Sequence, residues 1–114
     1  MGDCIFCKIV SGDIPGDIVY QDDDVLAFRD LGPQAPVHVL VIPKRHISTI
    51  NDLQQDDAQL IGKMYLAAKH IAKQEGMDES GYRCVMNCND DGGQTVHHIH
   101  LHVLGKRQMT WPPG

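Results

Sequence analysis

Apolar residues recur with the spacing of a helix in two places along this chain. Residues 3–12 carry an apolar stripe at the spacing of one helix face, made by Ile5, Phe6, Ile9 and Val10. Asp3 suits the N-cap of this short helix, and Gly12 suits the position just after its end. A long helix is predicted from about residue 53 to residue 75. Its broad apolar face consists of Leu60, Ile61, Met64, Leu66, Ala67, Ala68 and Ile71.

Five short segments have the pattern or composition of strands. They are residues 18–21, 25–29, 37–42, 82–88 and 97–104. The acidic run 22–24 predicts a hairpin turn between the first two. Only the third and fourth are separated by a helix long enough for a parallel crossover. The simplest assembly is therefore an α+β domain with a five-stranded, mainly antiparallel sheet, one long helix and one short helix.

The composition is that of a globular protein rather than a disordered one. The 114 residues carry a formal net charge of −5, and 42% of them are hydrophobic, which fits one folded domain. Net acidity argues against sequence-independent nucleic-acid binding, because that binding needs Lys and Arg to displace counterions. The longest apolar stretch, residues 37–43, is far too short to span a membrane, and the first residues lack a secretory signal pattern. We therefore expect a cytoplasmic protein without nucleic-acid or membrane partners.

The segment 96–104 contains three histidines at every second position. In a strand, His98, His100 and His102 share one face, while the opposite face is formed by Ile99, Leu101 and Val103. Three interpretations remain open. The histidines could form an active site that supplies a nucleophile, an acid and an electrostatic clamp, or they could form a three-histidine zinc site. The third interpretation is chance enrichment on an exposed strand. The adjacent His97 falls on the apolar face and needs a separate explanation.

The loop before these histidines has features of a phosphate-binding loop. Gly92 and Gly93 allow backbone N–H groups to approach an anion closely, and Thr95 adds a hydroxyl. An ordinary hairpin turn would also explain two glycines. Together with the histidines, the loop favours a substrate that carries phosphate.

Two cysteines near the start of the chain have the spacing of half a metal site. Cys4 and Cys7 form a C-x-x-C pattern, which fits a zinc half-site but is weak evidence alone. Since nothing indicates secretion, free thiols or metal ligands are expected here rather than disulfides.

The run His98-Ile99-His100-Leu101-His102-Val103-Leu104 resembles the signature of the histidine triad (HIT) family, His-φ-His-φ-His-φ-φ. Supporting segments are residues 4–9, 26–30, 33–36, 41–47 and 92–94. Residues 105–114 resemble the tail of the Hint branch, which the diadenosine-polyphosphate hydrolase branch lacks. The resemblance implies one HIT domain over residues 1–114, including this tail, and a two-fold homodimer whose sheets join into one.

The resemblance implies hydrolysis of adenosine or guanosine 5′-phosphoramidates through a nucleotidyl-histidine intermediate, with no cofactor required. It makes His100 the nucleophile, gives His98 and His102 phosphate contacts and proton transfer, and adds His38 as a fourth active-site histidine. Dinucleoside polyphosphate hydrolysis and nucleotide binding without significant turnover are the alternatives. A metalloenzyme with the triad histidines as ligands is a further rival.

The same resemblance implies contacts to a purine nucleotide. Asp30 would grip the ribose hydroxyls, and Trp111 would lie near the partner's pocket in the dimer. The apolar slot for the base would be Phe6, Ile9, Phe28 and Leu31. Asn87 and Thr95 would contact the phosphate or leaving group, and Gly93, Gln94, His100 and His102 would be further nucleotide-binding residues.

A structural zinc site is also implied. Some bacterial relatives with this Cys-x-x-Cys complete a zinc site with two histidines, which here are His46 and His98 beside Cys4 and Cys7. If His98 is a metal ligand, its part in catalysis becomes positioning. The sequence departs from the family pattern at His97, where Tyr or Phe is common, and at Thr95, where Ser is common.

Overall fold

The computed structural model describes residues 3–114; residues 1 and 2, which the predicted domain includes, lie outside this range. The helices are α1 (Ile5–Ser11), α2 (Ala58–Gln74) and the single turn α3 (Asn89–Gly92). The strands are β1 (Ile18–Gln21), β2 (Val25–Arg29), β3 (Val37–Pro43), β4 (Tyr82–Val85) and β5 (Leu101–Gly105).

The five strands form one sheet in the order β1-β2-β3-β5-β4, and every neighbouring pair is antiparallel. Strands β3 and β4 therefore run parallel to each other, with α2 as the crossover and β5 inserted between them. The predicted α+β architecture with an antiparallel five-stranded sheet is confirmed.

The sheet separates two apolar layers, because alternate residues of each strand point to opposite faces. On one face α2 packs against the odd-numbered residues of β3 and against Ile99, Leu101 and Val103, all three fully buried as predicted. On the other face α1 packs against Leu26, Phe28, Leu40 and Ile42. His38 and His102 belong to this second face, so α1 and the histidines share one side of the sheet.

Several predicted element boundaries were wrong. Strand β5 begins at Leu101 instead of residue 97, because its pairing with β3 ends at Val41 and Leu101. Two residues farther along β3 lies Pro43, which has no N–H to donate. Strand β4 pairs with β5 from Tyr82 opposite Gly105 to Val85 opposite His102, and it stops at Val85 instead of residue 88.

Helix α2 begins at Ala58 instead of about residue 53, since two 3₁₀ turns precede it. The side chains of Asp52 and Asp57 accept hydrogen bonds from the backbone at Thr49 and Gln54, and these capping boxes separate the turns from the helix. The N-cap of α1 is Cys4 rather than Asp3, and its sulfur accepts from the backbone N–H of Cys7.

Across residues 3–114, the structure contains no helix with the length and apolar character that crossing a membrane requires.

Candidate active site

The sheet geometry brings the first pair of histidines together. His38 on β3 and His102 on β5 point to the same face, and His102 lies opposite Leu40, two residues along from His38. The two imidazole rings are 5.2 Å apart, with His38 Nε2 2.9 Å from His102 Nδ1. The fold thus joins two histidines that are far apart in sequence into one hydrogen-bonded pair.

A backbone N–H determines which nitrogen of His38 carries the proton. The N–H of Gln34 donates to His38 Nδ1 at 3.0 Å, so the proton of the neutral ring is on Nε2. That N–H faces His102 Nδ1 at 2.9 Å and a carboxylate oxygen of Asp30 at 3.5 Å. His102 Nδ1 is therefore an acceptor, and the proton of neutral His102 is on Nε2.

Among the described residues, His100 has a hydrogen-bond partner at one ring nitrogen and none at the other. Its Nδ1–H donates to the carbonyl oxygen of His98 at 2.8 Å, which leaves the lone pair on Nε2 available. The ring is buried, lies 5.0 Å from the His102 ring, and makes an edge contact with Phe6 at 5.1 Å. An oriented, neutral imidazole of this kind has the form that a nucleophile requires.

His98 points toward α1 with its ring nitrogens both engaged. Its Nε2–H donates to the carbonyl oxygen of Pro43 at 2.8 Å. Its Nδ1 lies 3.3 Å from Cys4 Sγ and 3.6 Å from Cys7 Sγ. The ring is fully buried, so His98 reaches the active site through its carbonyl group rather than through its imidazole.

Cys7 Sγ also lies 3.3 Å from Nδ1 of His46, whose Nε2 is 3.2 Å from the hydroxyl of Ser48. The ligand atoms of the predicted metal group, Cys4, Cys7, His46 and His98, all lie within 4.8 Å of one another. The structure therefore brings together two thiols and two imidazoles that the sequence separates.

The triad does not form a three-histidine metal site. In the described part of the chain, the other group with metal-ligand character contains Asp30, His38 and His102, and His98 belongs to the cysteine group instead. The rival interpretation with all three triad histidines on one metal was wrong, because His98 turns its ring away from His100 and His102.

Burial keeps these histidines neutral near pH 7. Loss of hydration disfavours the imidazolium form and lowers the pKa of His102 to about 4, with nearby His100 and His38 adding to the effect. Burial also lowers the pKa values of His38, His98 and His100. The tautomers assigned above are therefore the relevant forms at neutral pH.

The glycine loop is a helical turn, α3, that ends at Gly93 in a left-handed conformation with φ of 81°. The Gln94 side chain braces this loop. Its oxygen accepts a hydrogen bond from the Asn89 N–H at 2.9 Å, and its amide nitrogen donates to the carbonyls of Ser48 and Val96. The side chain is buried and fully used by these bonds. These bonds hold the loop in place, and a nucleotide contact by Gln94 stays a prediction.

The remaining predicted contact residues divide between the core and the surface. Phe6, Ile9 and Phe28 are buried in the layer under α1, with Phe6 and Phe28 in edge contact at 5.4 Å. Asn87 is half-buried, and Gly93 and Thr95 are exposed. Leu31 is 100% exposed and Trp111 is 81% exposed, so the isolated chain leaves both in solvent.

Comparison with known proteins identifies the family. A family model described as HIT domain matches residues 11–109. The chain belongs to the HIT family.

Relatives of known sequence cover nearly the whole chain. A purine nucleoside phosphoramidase of Escherichia coli K12 is 54% identical over 92% of this chain and 88% of its own length. A HIT-like protein of Synechococcus elongatus is 54% identical over 98% of this chain and 97% of its own length.

Solved structures of HIT proteins have the same fold. A HIT family hydrolase from Legionella pneumophila superimposes with a TM-score of 0.97 at 57% identity, covering 98% of this chain and all of that one (100%). A histidine triad protein from Clostridium difficile gives a TM-score of 0.93 at 45% identity, with 97% of each chain covered.

The sequence of this HIT protein did not predict the backbone groups that orient its histidines. The N–H of Gln34 and the carbonyls of Pro43 and His98 fix the orientation and tautomer of three histidines. A side-chain motif carries no information about such groups.

Proposed function

We propose that this chain hydrolyses purine nucleoside 5′-phosphoramidates to the nucleoside monophosphate and an amine. The observation that carries the proposal is His100, a buried neutral imidazole whose Nδ1–H is held by a carbonyl and whose Nε2 is free. The name and 54% identity of the Escherichia coli relative support the same substrate class.

The reaction would proceed in two displacements at phosphorus. His100 Nε2 attacks the α-phosphorus, the P–N bond breaks, and the amine leaves after taking up a proton from solvent. Water then attacks the nucleotidyl-imidazole, which releases the nucleoside monophosphate and restores His100. His98 acts in this scheme through its carbonyl, as the group that orients the nucleophile.

His102 would stabilise the charge that develops on the phosphoryl oxygens. The hydrogen bonds from Gln34 and His38 leave its proton on Nε2, the nitrogen that does not face His38. A neutral, pre-oriented N–H donor in a buried site stabilises an oxyanion without reorganising at the moment of reaction. His38 is then the residue that keeps His102 in its donor tautomer.

Hydrolysis of adenosine 5′-phosphoramidate by the purified wild-type protein tests the proposal directly. We expect turnover with release of AMP and ammonia, and much weaker cleavage of diadenosine tetraphosphate in the same assay. Preferential cleavage of the dinucleotide would assign the chain to polyphosphate hydrolysis. Tight AMP binding without turnover of either compound would leave a nucleotide-binding protein.

Asp30 is proposed to hold the ribose hydroxyls. One carboxylate oxygen already accepts from the N–H of Gly32 at 2.8 Å, which fixes the group at the end of β2. A carboxylate accepts hydrogen bonds from two hydroxyls at once. The expected result is that Asp30→Asn lowers kcat/KM for the ribonucleoside substrate about 10–100-fold.

The matched comparison uses a substrate without the 2′- and 3′-hydroxyls. Wild type should discriminate strongly against it, and Asp30→Asn should discriminate much less. An Asp30→Asn enzyme that keeps the full discrimination would assign the carboxylate to His38, which lies 3.5 Å away, rather than to ribose.

Zinc is proposed at the cysteine group as a structural ion. A tetrahedral site with Zn–S bonds near 2.3 Å and Zn–N bonds near 2.0 Å places its ligand atoms roughly 3.3–3.8 Å apart. The S···N distances of 3.3, 3.3 and 3.6 Å match this geometry. The ion would be held by Cys4, Cys7, His46 and His98. When bound, it would fix α1 against the segment that presents His100.

The second nitrogens of both histidine ligands are already engaged. Pro43 accepts from His98, and Ser48 pairs with His46. Metal-binding histidines are commonly oriented in this way. No step of the proposed reaction passes through the ion.

A homodimer formed through the β4 edge is also proposed. β4 is an outer strand of the sheet, and the C-terminal segment lies beside it: Arg83 donates to the carbonyl of Thr110 and its guanidinium lies 5.9 Å from the Trp111 ring centre. An unpaired edge with an exposed tryptophan nearby is the kind of surface that a two-fold partner covers. Trp111 would then reach the partner's nucleotide pocket.

Light scattering and tryptophan fluorescence check the dimer. We expect the mass of two chains at micromolar concentration, and quenching or shifting of Trp111 emission on AMP binding. Trp111→Ala should change KM more than kcat while the dimer persists. A monodisperse monomer with full activity would contradict this arrangement.

A further inference from the structure

We infer that Arg107, which follows β5 outside the triad, is a positioning residue for the proposed reaction, because it anchors the loop that sets the tautomers of His38 and His102. Its Nε–H donates to the carbonyl oxygen of Gln34 at 3.0 Å, across 73 positions of sequence. The N–H of the same Gln34 donates to His38 Nδ1 at 3.0 Å. Arg107 is thus two hydrogen bonds from the histidine pair. This inference rests on the proposed phosphoramidase function.

The loop 31–36 has few other anchors. It is exposed along most of its length, and its internal hydrogen bonds join Gly32 to Asp30 and the Gln34 side chain to Gly32. Among the hydrogen bonds of residues 3–114, the Arg107 bond is the one that ties this loop to a segment outside residues 30–38. Without it, the Gln34 carbonyl would pair with water, and the Gln34 N–H would lose its fixed direction.

A tautomer change at His38 would reverse the donor at the substrate. If the His38 proton moves to Nδ1, Nε2 becomes an acceptor, and His102 Nδ1, 2.9 Å away, must become the donor. His102 Nε2 would then present a lone pair to a phosphoryl oxygen, which is repulsive. One exposed hydrogen bond therefore controls whether His102 stabilises or opposes the transition state.

The test compares two substitutions that each remove one positive charge. Arg107→Gln removes the donor to Gln34, whereas Lys106→Gln removes the neighbouring cation, whose ammonium donates to the carbonyl of Gly76. Side-chain ¹⁵N chemical shifts at neutral pH report which nitrogen of each histidine is protonated. His38 should be Nε2–H in wild type and Lys106→Gln, and a mixture of tautomers in Arg107→Gln.

The kinetic arm uses adenosine 5′-phosphoramidate. Arg107→Gln should lower kcat about tenfold, a part of the roughly 10²–10³-fold that loss of one oxyanion-stabilising donor costs, with KM nearly unchanged. Arg107→Lys, which keeps the charge and a donor, should recover part of kcat and also serves if the glutamine variant does not fold.

An unchanged His38 spectrum in Arg107→Gln overturns the inference, and so does the same change in Lys106→Gln. A changed spectrum with unchanged kcat overturns its catalytic importance. The ¹⁵N spectrum reports the His38 tautomer whether or not the protein turns over a substrate. An altered His38 tautomer in a protein whose wild type is inactive therefore supports the positioning and refutes the proposed function alone.

Discussion

Replacing His100 with alanine is expected to abolish phosphoramidase turnover almost completely, with kcat lower by about a thousandfold or more. Removal of the nucleophile ends the two-step route, and direct attack by water lacks a group positioned to replace it. The imidazole packs at the edge of Phe6 and accepts no hydrogen bond from the other residues of the described range 3–114. The variant should therefore remain folded and still bind AMP.

Two measurements tie this loss to covalent catalysis. Mass spectrometry of acid-quenched wild type during turnover should show a fraction of chains heavier by one nucleotidyl group, which is absent from His100→Ala. His97→Ala is the matched control, since His97 is exposed and lies just before the triad. If His100→Ala kept wild-type kcat, or His97→Ala lost as much, the assignment of the nucleophile would be wrong.

The chain order of elements was predictable because each element's apolar periodicity agrees with its final packing. Ile99, Leu101 and Val103 alternate with histidines in the sequence, and all three are buried against α2. The boundaries were not predictable to the same degree. Where β5 starts depends on its register against β3, the strand that ends at Pro43. Register is a long-range property that no local pattern contains.

The sequence indicated which side chains belong to the candidate site, but it indicated only part of what each of them does there. Alternation placed His98, His100 and His102 on one face, yet the segment before Leu101 is not a strand, and His98 turns to the cysteines. Gln94 shows the same dependence: the sequence shows only a polar residue beside two glycines, while the fold uses its side chain as a brace across three segments. Both outcomes depend on contacts between distant parts of the chain.

Replacing Cys7 with serine is expected to remove the bound zinc and lower the melting temperature by about 10 °C or more. Cys7 Sγ is within 3.6 Å of both His46 and His98, so it is central to the four-ligand group. A serine hydroxyl is a far weaker zinc ligand than a thiolate, and the metal-binding energy of a structural site is folding energy. In a domain of this size, about 2–3 kcal/mol corresponds to such a shift.

The loss should spread from the metal group to the nucleophile. His98 is both a proposed zinc ligand and the residue whose carbonyl accepts a hydrogen bond from His100. Freeing its ring would loosen that bond, the one that the His100 ring makes within residues 3–114. We therefore expect Cys7→Ser to lower kcat as well, by less than His100→Ala does. Metal analysis and thermal melts with and without a chelator measure both effects.

The control is Cys88→Ser, the same substitution at a half-buried cysteine outside the metal group. A chelator should lower the melting temperature of wild type and Cys88→Ser equally and leave Cys7→Ser unchanged, since that variant has no ion to lose. Wild type that contains no zinc and melts as Cys7→Ser does would show that the four residues pack together without a metal ion. In that event His98 would be held by the carbonyl of Pro43 and the two thiols alone, and the orientation of His100 would not depend on metal.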